Sequence, residues 1–231
     1  MYRVEDKYIV SGNRLWILEQ HIAMLLPIDS SSNENGYKIS SLYFDDIMDS
    51  MLTDTLDGNP VRDKYRIRIY NDSFTNIKLE VKRKKYNRVY KISSEITLDE
   101  LHDLMSGRLI PDRNNLNDAR TLFNLAIRTR ELVPKIIVTY DRKAYVYESG
   151  NVRITFDRNI RASDQWNLFG GQSIKYDYAE TPGTVLEVKY DEFIPKFIMQ
   201  VLETGNMLQT SNSKYEICRE IYKRRGINNV S

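Results

Sequence analysis

Two neighbouring stretches of the chain, RDKYRIRIY at 62–70 and KLEVKRKKYNRVYK at 78–91, repeat a charged residue at every second position. The charged positions are Lys64, Arg66 and Arg68 in the first stretch and Glu80, Lys82 and Lys84 in the second. Side chains in a β-strand alternate between two faces, so each set would share one face of its strand. The intervening residues, such as Ile67 and Val81, are apolar and would form the opposite face.

The same kind of charged face recurs in five other predicted strands, one of which begins inside the second stretch and contains Lys91. Their charged positions are Arg3, Glu5 and Lys7, then Lys91, then Arg142, then Arg153 and Asp157, and finally Glu187 and Lys189. One such strand is explained by an antiparallel sheet with a face in water. Seven strands with the same pattern favour charged faces that line a shared concavity, because a large sheet tends to curl or close.

The patterns and turn signals together predict an α+β fold. The predicted strands are Tyr2–Val10, Lys38–Asp45, Arg62–Tyr70, Asn76–Lys84, Asn87–Glu95, Lys135–Tyr147, Val152–Ile160 and Thr184–Tyr190. The predicted helices are Asn13–Leu26, Thr97–Ser106, Asp118–Leu132, Pro195–Thr204 and Lys214–Arg224, with a helical turn or loop at Asp49–Asn59 and a loop at 163–182. We therefore expect an antiparallel β-barrel of about eight strands, which forms a polar tunnel with flanking helices, as a single domain over residues 1–231.

The composition limits the function classes. The net charge of the 231 residues is only +2, which argues against nucleic-acid binding driven by bulk charge. Cys218 is the only cysteine, and His21 and His102 are the only histidines, so thiolate zinc sites and histidine-based catalysis have no support. No apolar run has the length of a signal peptide or a membrane span, so we expect a soluble, cytoplasmic protein without membrane insertion, for which work at a membrane needs a membrane-protein partner.

The inward-facing set is rich in arginine and lysine, with a minority of carboxylates. Such a lining is tolerable only around water and a highly charged ligand, because buried unpaired charge is very costly. Arginine and lysine hold phosphate oxygens, and carboxylates hold Mg²⁺ or Mn²⁺. The residues therefore indicate a polyanion bound together with a divalent cation.

The ordered motifs resemble those of the catalytic domain of the vacuolar transporter chaperone (VTC) polyphosphate polymerases, which are triphosphate tunnel metalloenzymes. The motifs are RVEDKY at 3–8, SLYFDD at 41–46, KYRIRIY at 64–70, LEVKRK at 79–84, VTYDRKAY at 138–145, VRITFDRNIR at 152–161, VLEVKYD at 185–191, IPKF at 194–197 and SNSKYE at 211–216. Their order and spacing together carry the resemblance, which runs nearly end to end.

The resemblance implies that ATP binds with its triphosphate in the tunnel and passes its γ-phosphoryl group to a growing polyphosphate chain. The residues implied to bind substrate phosphates are Lys7, Arg66, Arg68, Lys82, Lys91, Arg142 and Arg153, with Lys189, Ser213 and Lys214 as further substrate contacts. Glu187 is implied to hold a Mn²⁺ or Mg²⁺ ion. The wider superfamily often begins with ExExK, whereas this chain has Arg3, Glu5 and Lys7, which leaves Glu5 as a second metal ligand.

Three alternatives stay open at this point. A hydrolase of the same fold would cleave tripolyphosphate or a nucleoside triphosphate with water as the acceptor, and Ser213 and Lys214 favour the polymerase over it. A non-catalytic polyphosphate-binding module would not need Glu187. A nucleic-acid binder could stack bases on tyrosines, but Tyr43, Tyr65, Tyr90 and Tyr140 lie within strand patterns, where packing is the better explanation.

Overall fold

The computed structural model describes residues 3–86, 88–180, 183–203, 207–210 and 213–228. The strands in these ranges are β1 (Arg3–Val10), β2 (Tyr37–Asp45), β3 (Val61–Tyr70), β4 (Ser73–Lys85), β5 (Arg88–Ile96), β6 (Val133–Tyr147), β7 (Val152–Ser163), β8 (Asp177–Tyr178), β9 (Thr184–Tyr190) and β10 (Leu208–Gln209). The α-helices in them are α1 (Gly12–Leu25), α2 (Ser50–Leu56), α3 (Leu98–Met105), α4 (Ala119–Arg130), α5 (Lys196–Glu203) and α6 (Lys214–Asn228).

Eight of the described strands close into an antiparallel barrel. The order around the barrel is β1, β5, β4, β3, β2, β6, β7 and β9, and β9 pairs with β1 to complete the circle. In the closing pair, Val4 lies opposite Tyr190 and Val10 lies opposite Thr184. The predicted α+β fold with a barrel of about eight strands is confirmed. The short strands β10 and β8 pair with β1 and β7.

Apolar side chains on the outer face of the barrel pack beneath four helices. On one side, α3 and α4 cover β2 to β5, and Phe123 of α4 meets Phe44 edge to face with ring centroids 5.4 Å apart. On the other side, α1 and α5 cover β1, β7 and β9, where Ile22 joins Phe156 in one buried cluster. Because apolar and charged residues alternate along seven of the eight barrel strands, this outer packing turns their charged faces inward.

Helix α6 packs against the inner face of the barrel instead of its outside. Tyr215 and Cys218 of α6 are buried with Val138, Tyr140 and Ala162 of β6 and β7. Val138 and Tyr140 share a face with Arg142, two residues further along β6. Burial raises the pKa of the Cys218 thiol to about 12, which is typical of a packing residue rather than a reactive one. Helix α6 therefore fills part of the barrel interior.

Several element boundaries follow from local chemistry. The predicted capping box of α3 is confirmed, because the Glu100 N–H donates to Thr97 Oγ1 at 3.2 Å and the Thr97 N–H donates to Glu100 Oε2 at 2.8 Å. Helix α4 ends before Glu131, whose φ of 53° is left-handed.

Asp49–Asn59 contains the complete helix α2, and strand β8 lies within the predicted loop at 163–182. The predicted boundaries Tyr2, Asn87 and Thr204, and residues 211–212 of SNSKYE, lie outside the described residues.

Within the described ranges, none of the helices combines the length and the apolar character that a membrane span requires.

Candidate active site inside the barrel

The inner faces of the strands enclose a cavity of about 780 Å³. Every site residue predicted from the sequence lines it: Glu5, Lys7, Arg66, Arg68, Lys82, Lys91, Arg142, Arg153, Glu187, Lys189, Ser213 and Lys214. Period-two alternation places the strand residues among them on one face of each strand, and closure of the sheet brings those faces together. Ser213 and Lys214 reach the cavity from the start of α6. The structure therefore gathers the predicted residues in one place, while their roles toward a substrate stay predictions.

One wall of the cavity is organised by Glu80 on β4, which is fully buried. Arg66 Nε donates to Glu80 Oε2 at 2.7 Å, and Lys91 Nζ donates to Glu80 Oε1 at 3.0 Å. Arg68 forms a longer ion pair with the same carboxylate at 3.8 Å. Burial would raise the pKa of Glu80, but these three cations outweigh it and hold that pKa well below its ordinary value. Glu80 is therefore a fixed counter-ion for three predicted phosphate-binding residues.

Two tyrosines of this wall hold the arginines through their hydroxyl groups. Tyr43 accepts a hydrogen bond from Arg66 at 2.9 Å, and Tyr140 accepts one from Arg68 at 3.2 Å. Packing alone was predicted for both, and it is an incomplete description because both rings also line the cavity. For Tyr65 the predicted packing role is confirmed, because its ring packs edge to face against Phe123 on the outer side of the barrel.

A second wall is organised by Asp157 on β7. Arg142 binds it with two hydrogen bonds, of 2.6 Å to Oδ1 and 2.7 Å to Oδ2, and Lys214 Nζ lies 2.5 Å from Oδ2. Lys214 also donates to Glu187 Oε1 at 2.7 Å. Burial would lower the pKa of Lys214, but Asp157 and Glu187 raise it above the ordinary lysine value. The first turn of α6 thus reaches into the barrel and joins two carboxylates.

Glu5 and Glu187 lie on the adjacent strands β1 and β9. Glu5 is directly opposite Lys189, and Glu187 is directly opposite Lys7, so the two glutamates are diagonal neighbours on the inner face. Lys189 donates to Glu187 at 2.6 Å, and Lys82 donates to Glu5 at 2.7 Å. Burial would raise the pKa of each glutamate, but the surrounding lysines hold both values well below the ordinary range. Both carboxylates are therefore ionised.

The pair of glutamates fits a hard divalent cation that is shared with a phosphate ligand. Across the described parts of the chain, no group of three or more His, Cys, Asp or Glu side chains could hold a metal ion. Mg²⁺ typically takes one or two protein carboxylates and completes its shell with water and substrate phosphates. Glu5 and Glu187 supply such a set of oxygen donors, so the predicted ligands fit the predicted ion in number and chemistry.

Arg153 on β7 is held at another part of the cavity. It forms an ion pair with Asp29, and its second guanidinium nitrogen donates to the Tyr37 hydroxyl at 3.2 Å. Asp29 lies in a connection between α1 and β2, where no strand alternation marks it, so sequence reasoning did not find it. Asp157 and Glu80 do fall on alternating faces, but the pattern alone does not separate counter-ions from ligand contacts.

Ser213 connects the start of α6 to β3. Its hydroxyl accepts a hydrogen bond from Lys64 Nζ at 2.8 Å and another from the Glu216 N–H at 3.2 Å. Ser213 therefore caps α6 while it lines the cavity. The predicted contact residues Ser213 and Lys214 are thus held at the same cavity as the strand residues.

Comparison with protein families and solved structures is consistent with this geometry. Residues 2–223 match the VTC domain family. No curated protein matches the chain. A candidate adenylate cyclase from Bacillus halodurans superposes with a TM-score of 0.54 at 15% identity, covering 91% of this chain and 93% of that chain.

Two further solved structures share the fold. A candidate adenylate cyclase from Vibrio parahaemolyticus has a TM-score of 0.53 at 12% identity, covering 94% of this chain and 97% of that chain. The PH1012 protein from Pyrococcus horikoshii OT3 has a TM-score of 0.51 at 13% identity, covering 94% and 99%. At these identities the likeness shows the fold alone.

Proposed function

The chain belongs to the VTC domain family, and on that premise we propose that it is an ATP-dependent polyphosphate polymerase. Family and fold together support an enzyme of the tunnel type that transfers or hydrolyses phosphoryl groups of triphosphate or polyphosphate. The finer proposal is that the γ-phosphoryl group of ATP passes to the end of a polyphosphate chain. Its proposed partners are therefore ATP and polyphosphate, with no nucleic acid.

One observation carries this proposal. Among the described residues, seven of the eight barrel strands supply arginine or lysine to a single cavity, and β2 supplies tyrosines instead. Phosphoryl transfer between two polyanions needs the neutralisation of their mutual repulsion more than it needs a covalent catalyst. An enclosed cationic lining supports that chemistry without histidine or cysteine.

The chain's own residues would act by positioning and by charge. Arg66, Arg68 and Arg142 would hold the triphosphate oxygens, since guanidinium groups bind such oxygens in pairs. An ionised terminal oxygen of the acceptor would form a bond to the γ-phosphorus. The bond from that phosphorus to the oxygen bridging it to the β-phosphate would break, and this oxygen would leave with the electron pair as part of ADP. No proton has to be removed from the acceptor.

Glu187 and Glu5 would hold a divalent cation, Mn²⁺ or Mg²⁺, against the phosphates. When bound, such an ion neutralises phosphate charge and steadies the leaving oxygen. Lys189 and Lys214 touch Glu187 in the structure and would remain close enough to share the phosphate charge. In this arrangement, two carboxylates would hold the divalent cation, and the larger set of arginines and lysines would bind the phosphates.

Product analysis tests the proposal. Purified protein incubated with ATP and Mn²⁺ is expected to release ADP and to form chains that separate as a ladder on a polyacrylamide gel. Glu187→Gln is expected to abolish turnover and to retain most nucleotide binding, because the cationic lining is intact. Glu95→Gln, an exchange at an exposed carboxylate on β5, is the matched control and should leave the ladder unchanged.

The outcomes separate the possible enzymes. ADP with free phosphate and no chains would replace the polymerase with a hydrolase of the same fold. No turnover, together with tight polyphosphate binding, would indicate a binding module. An active Glu187→Gln variant would remove Glu187 from the metal site. A cytoplasmic location and a membrane-protein partner stay predictions from the sequence.

A further inference from the structure

The pairing of β3 with β4 places like charges directly opposite each other on the inner face. Arg62 lies opposite Lys84, and Lys64 lies opposite Lys82. One step further along the ladder the pattern changes, because Arg66 lies opposite Glu80. Like charges in directly opposed positions destabilise a sheet. We call the Arg62–Lys84 and Lys64–Lys82 pairs the outer part of this ladder. Positive charge is concentrated there, whereas Glu80 neutralises Arg66 in the neighbouring pair.

Three residues of the outer part have no direct acidic partner. Within the described residues, Arg62, Lys64 and Lys84 form no ion pair of 4.0 Å or less, whereas Lys82 is held by Glu5. More distant carboxylates act on them: Glu216 on Lys64, Glu216 and Asp54 on Arg62, and Glu5 on Lys84. All three cations line the same cavity as the predicted triphosphate site.

Lys64 is fixed in place by uncharged neighbours. Its ammonium donates to Ser213 Oγ at 2.8 Å and lies 5.7 Å from the centre of the Tyr215 ring. Burial lowers the pKa of Lys64 well below its ordinary value, and the charges of Lys7, Lys82 and Arg62 lower it further. An anion in this position would oppose both effects, because an opposite charge stabilises the charged ammonium. Arg62, Lys64 and Lys84 thus form a cationic strip that exists before any ligand binds. The repulsion among these charges costs free energy, which a bound anion would offset.

We propose that Arg62, Lys64 and Lys84 form a second phosphate-binding subsite, which takes the polyphosphate acceptor beside the triphosphate site. The proposal rests on the proposed polymerase function. A nucleotide that carries a divalent cation suits the part of the cavity with Glu5 and Glu187. A phosphate chain without its own metal suits the strip that has no acidic partner. The two regions adjoin, because Lys82 lies opposite Lys64 and its ammonium is 2.7 Å from Glu5.

A binding experiment tests the subsite without turnover. The protein is saturated with the non-hydrolysable analogue AMP-PNP and Mg²⁺, and inorganic tripolyphosphate is then titrated by isothermal calorimetry. Wild type is expected to bind tripolyphosphate while AMP-PNP is bound. Lys64→Met and Lys84→Met are each expected to weaken this second event about tenfold, as loss of one charge-assisted contact should, and to change AMP-PNP affinity much less.

Two controls keep the result interpretable. Lys143→Met alters a lysine outside the cavity, whose ammonium lies 3.5 Å from Glu19 of α1, and should change neither affinity. Thermal unfolding separates loss of the subsite from loss of the fold. Without ligand, Lys64→Met is expected to unfold at a higher temperature than wild type because like-charge repulsion is removed, and tripolyphosphate should then stabilise it less.

The outcomes test the second subsite separately from the proposed ATP-dependent function. If wild type binds no tripolyphosphate beside AMP-PNP, the second subsite is wrong. If both lysine variants lose AMP-PNP affinity as strongly as tripolyphosphate affinity, these lysines belong to the nucleotide site and the subsite is also wrong. If tripolyphosphate binds in a Lys64-dependent manner but AMP-PNP does not bind at all, the subsite stands and the ATP-dependent function fails.

Discussion

At the scale of single residues, the sequence predicted the cavity lining better than it predicted the pairing inside it. Alternation shows which face a residue occupies, and all predicted site residues do meet in the cavity. Alternation does not show which carboxylate belongs to which cation, because that depends on strand register and closure. Glu80 and Asp157 therefore emerge as the organising counter-ions only in the folded barrel.

Glu80 provides a stability prediction. Glu80→Gln keeps the size of the side chain but leaves Arg66, Arg68 and Lys91 without their shared counter-ion. We expect the free energy of unfolding in the absence of ligand to fall by about 3–5 kcal/mol, as for other broken buried ion pairs. Tripolyphosphate should restore part of the loss, since its oxygens can replace the carboxylate. Urea denaturation with and without tripolyphosphate measures both effects.

Asp63→Asn is the matched control for Glu80→Gln. Asp63 pairs with Arg83 across the same two strands, at 2.8 Å, but on a more exposed face. Its loss should cost roughly 1 kcal/mol or less, and tripolyphosphate should not restore it. Equal losses in the two variants would contradict the role assigned to Glu80.

Lys82 provides a pH prediction. Burial lowers the pKa of Lys82 to about 7; Glu5 opposes this shift, and Lys7 and Lys189 add to it. From about pH 7 up to the ordinary lysine value, the unfolded chain therefore holds a proton that the folded protein has released. In that window the contribution of Lys82 to the free energy of unfolding rises with pH. Ligand affinity should change in the opposite direction, because a neutral Lys82 attracts phosphate less.

The measurement is tripolyphosphate affinity across the range from pH 6 to pH 9. Wild type is expected to lose affinity as pH rises through about 7. Lys82→Arg should lose less affinity than wild type over that range, since an arginine stays charged. Identical pH profiles for the two proteins would show that Lys82 does not titrate at the site. Lys64, whose pKa is also lowered, is present in both proteins and accounts for pH dependence that remains in Lys82→Arg.

At the scale of secondary-structure elements, strands and amphipathic helices were predictable, and the position of α6 was not. Each of the eight barrel strands has a strand-like sequence, and seven of them alternate apolar and charged residues, so each was found. Strands β8 and β10 have two residues each and are too short to show a period. The sequence predicted α6 as a helix at Lys214–Arg224, but did not show whether it packs outside the barrel or within it. Only the structure shows Tyr215 stacked on Tyr43 of the inner face, with centroids 4.9 Å apart.

The docking of α6 gives an element-scale prediction. The Tyr215 hydroxyl donates to Asp45 Oδ2 at 2.8 Å, and Asp45 is fully buried at the end of β2. Tyr215→Phe retains the ring stacking but removes this donor. We expect it to reduce the free energy of unfolding by about 1–3 kcal/mol, as for other buried acceptors that lose a partner. Tyr178→Phe, at a side chain that is 68% exposed, should change it by less than about 0.5 kcal/mol. Similar urea midpoints for both variants would contradict the proposed docking contact.

At the scale of the whole molecule, the barrel was predictable because seven of its eight strands repeat one physical pattern. Apolar outer faces need cover and the helices supply it, so the charged faces turn inward. The barrel places the acidic and cationic groups of the cavity within a few ångströms of one another, which no local segment could specify. That residues 1–231 form a single domain stays a prediction from composition and length.

Closure of the barrel also constrains how a newly synthesised chain reaches its native state. Strand β1 forms its long pairing with β9, so the first of the eight barrel strands to be synthesised pairs fully only after the last of them has emerged. At ordinary elongation rates, the chain between Val10 and Thr184 takes on the order of ten seconds to emerge. Until β9 emerges, the edges of β1 and β7 that will pair with it have unpaired backbone groups that invite strand addition by other nascent chains. The seam is thus the place where chaperone protection during translation matters most.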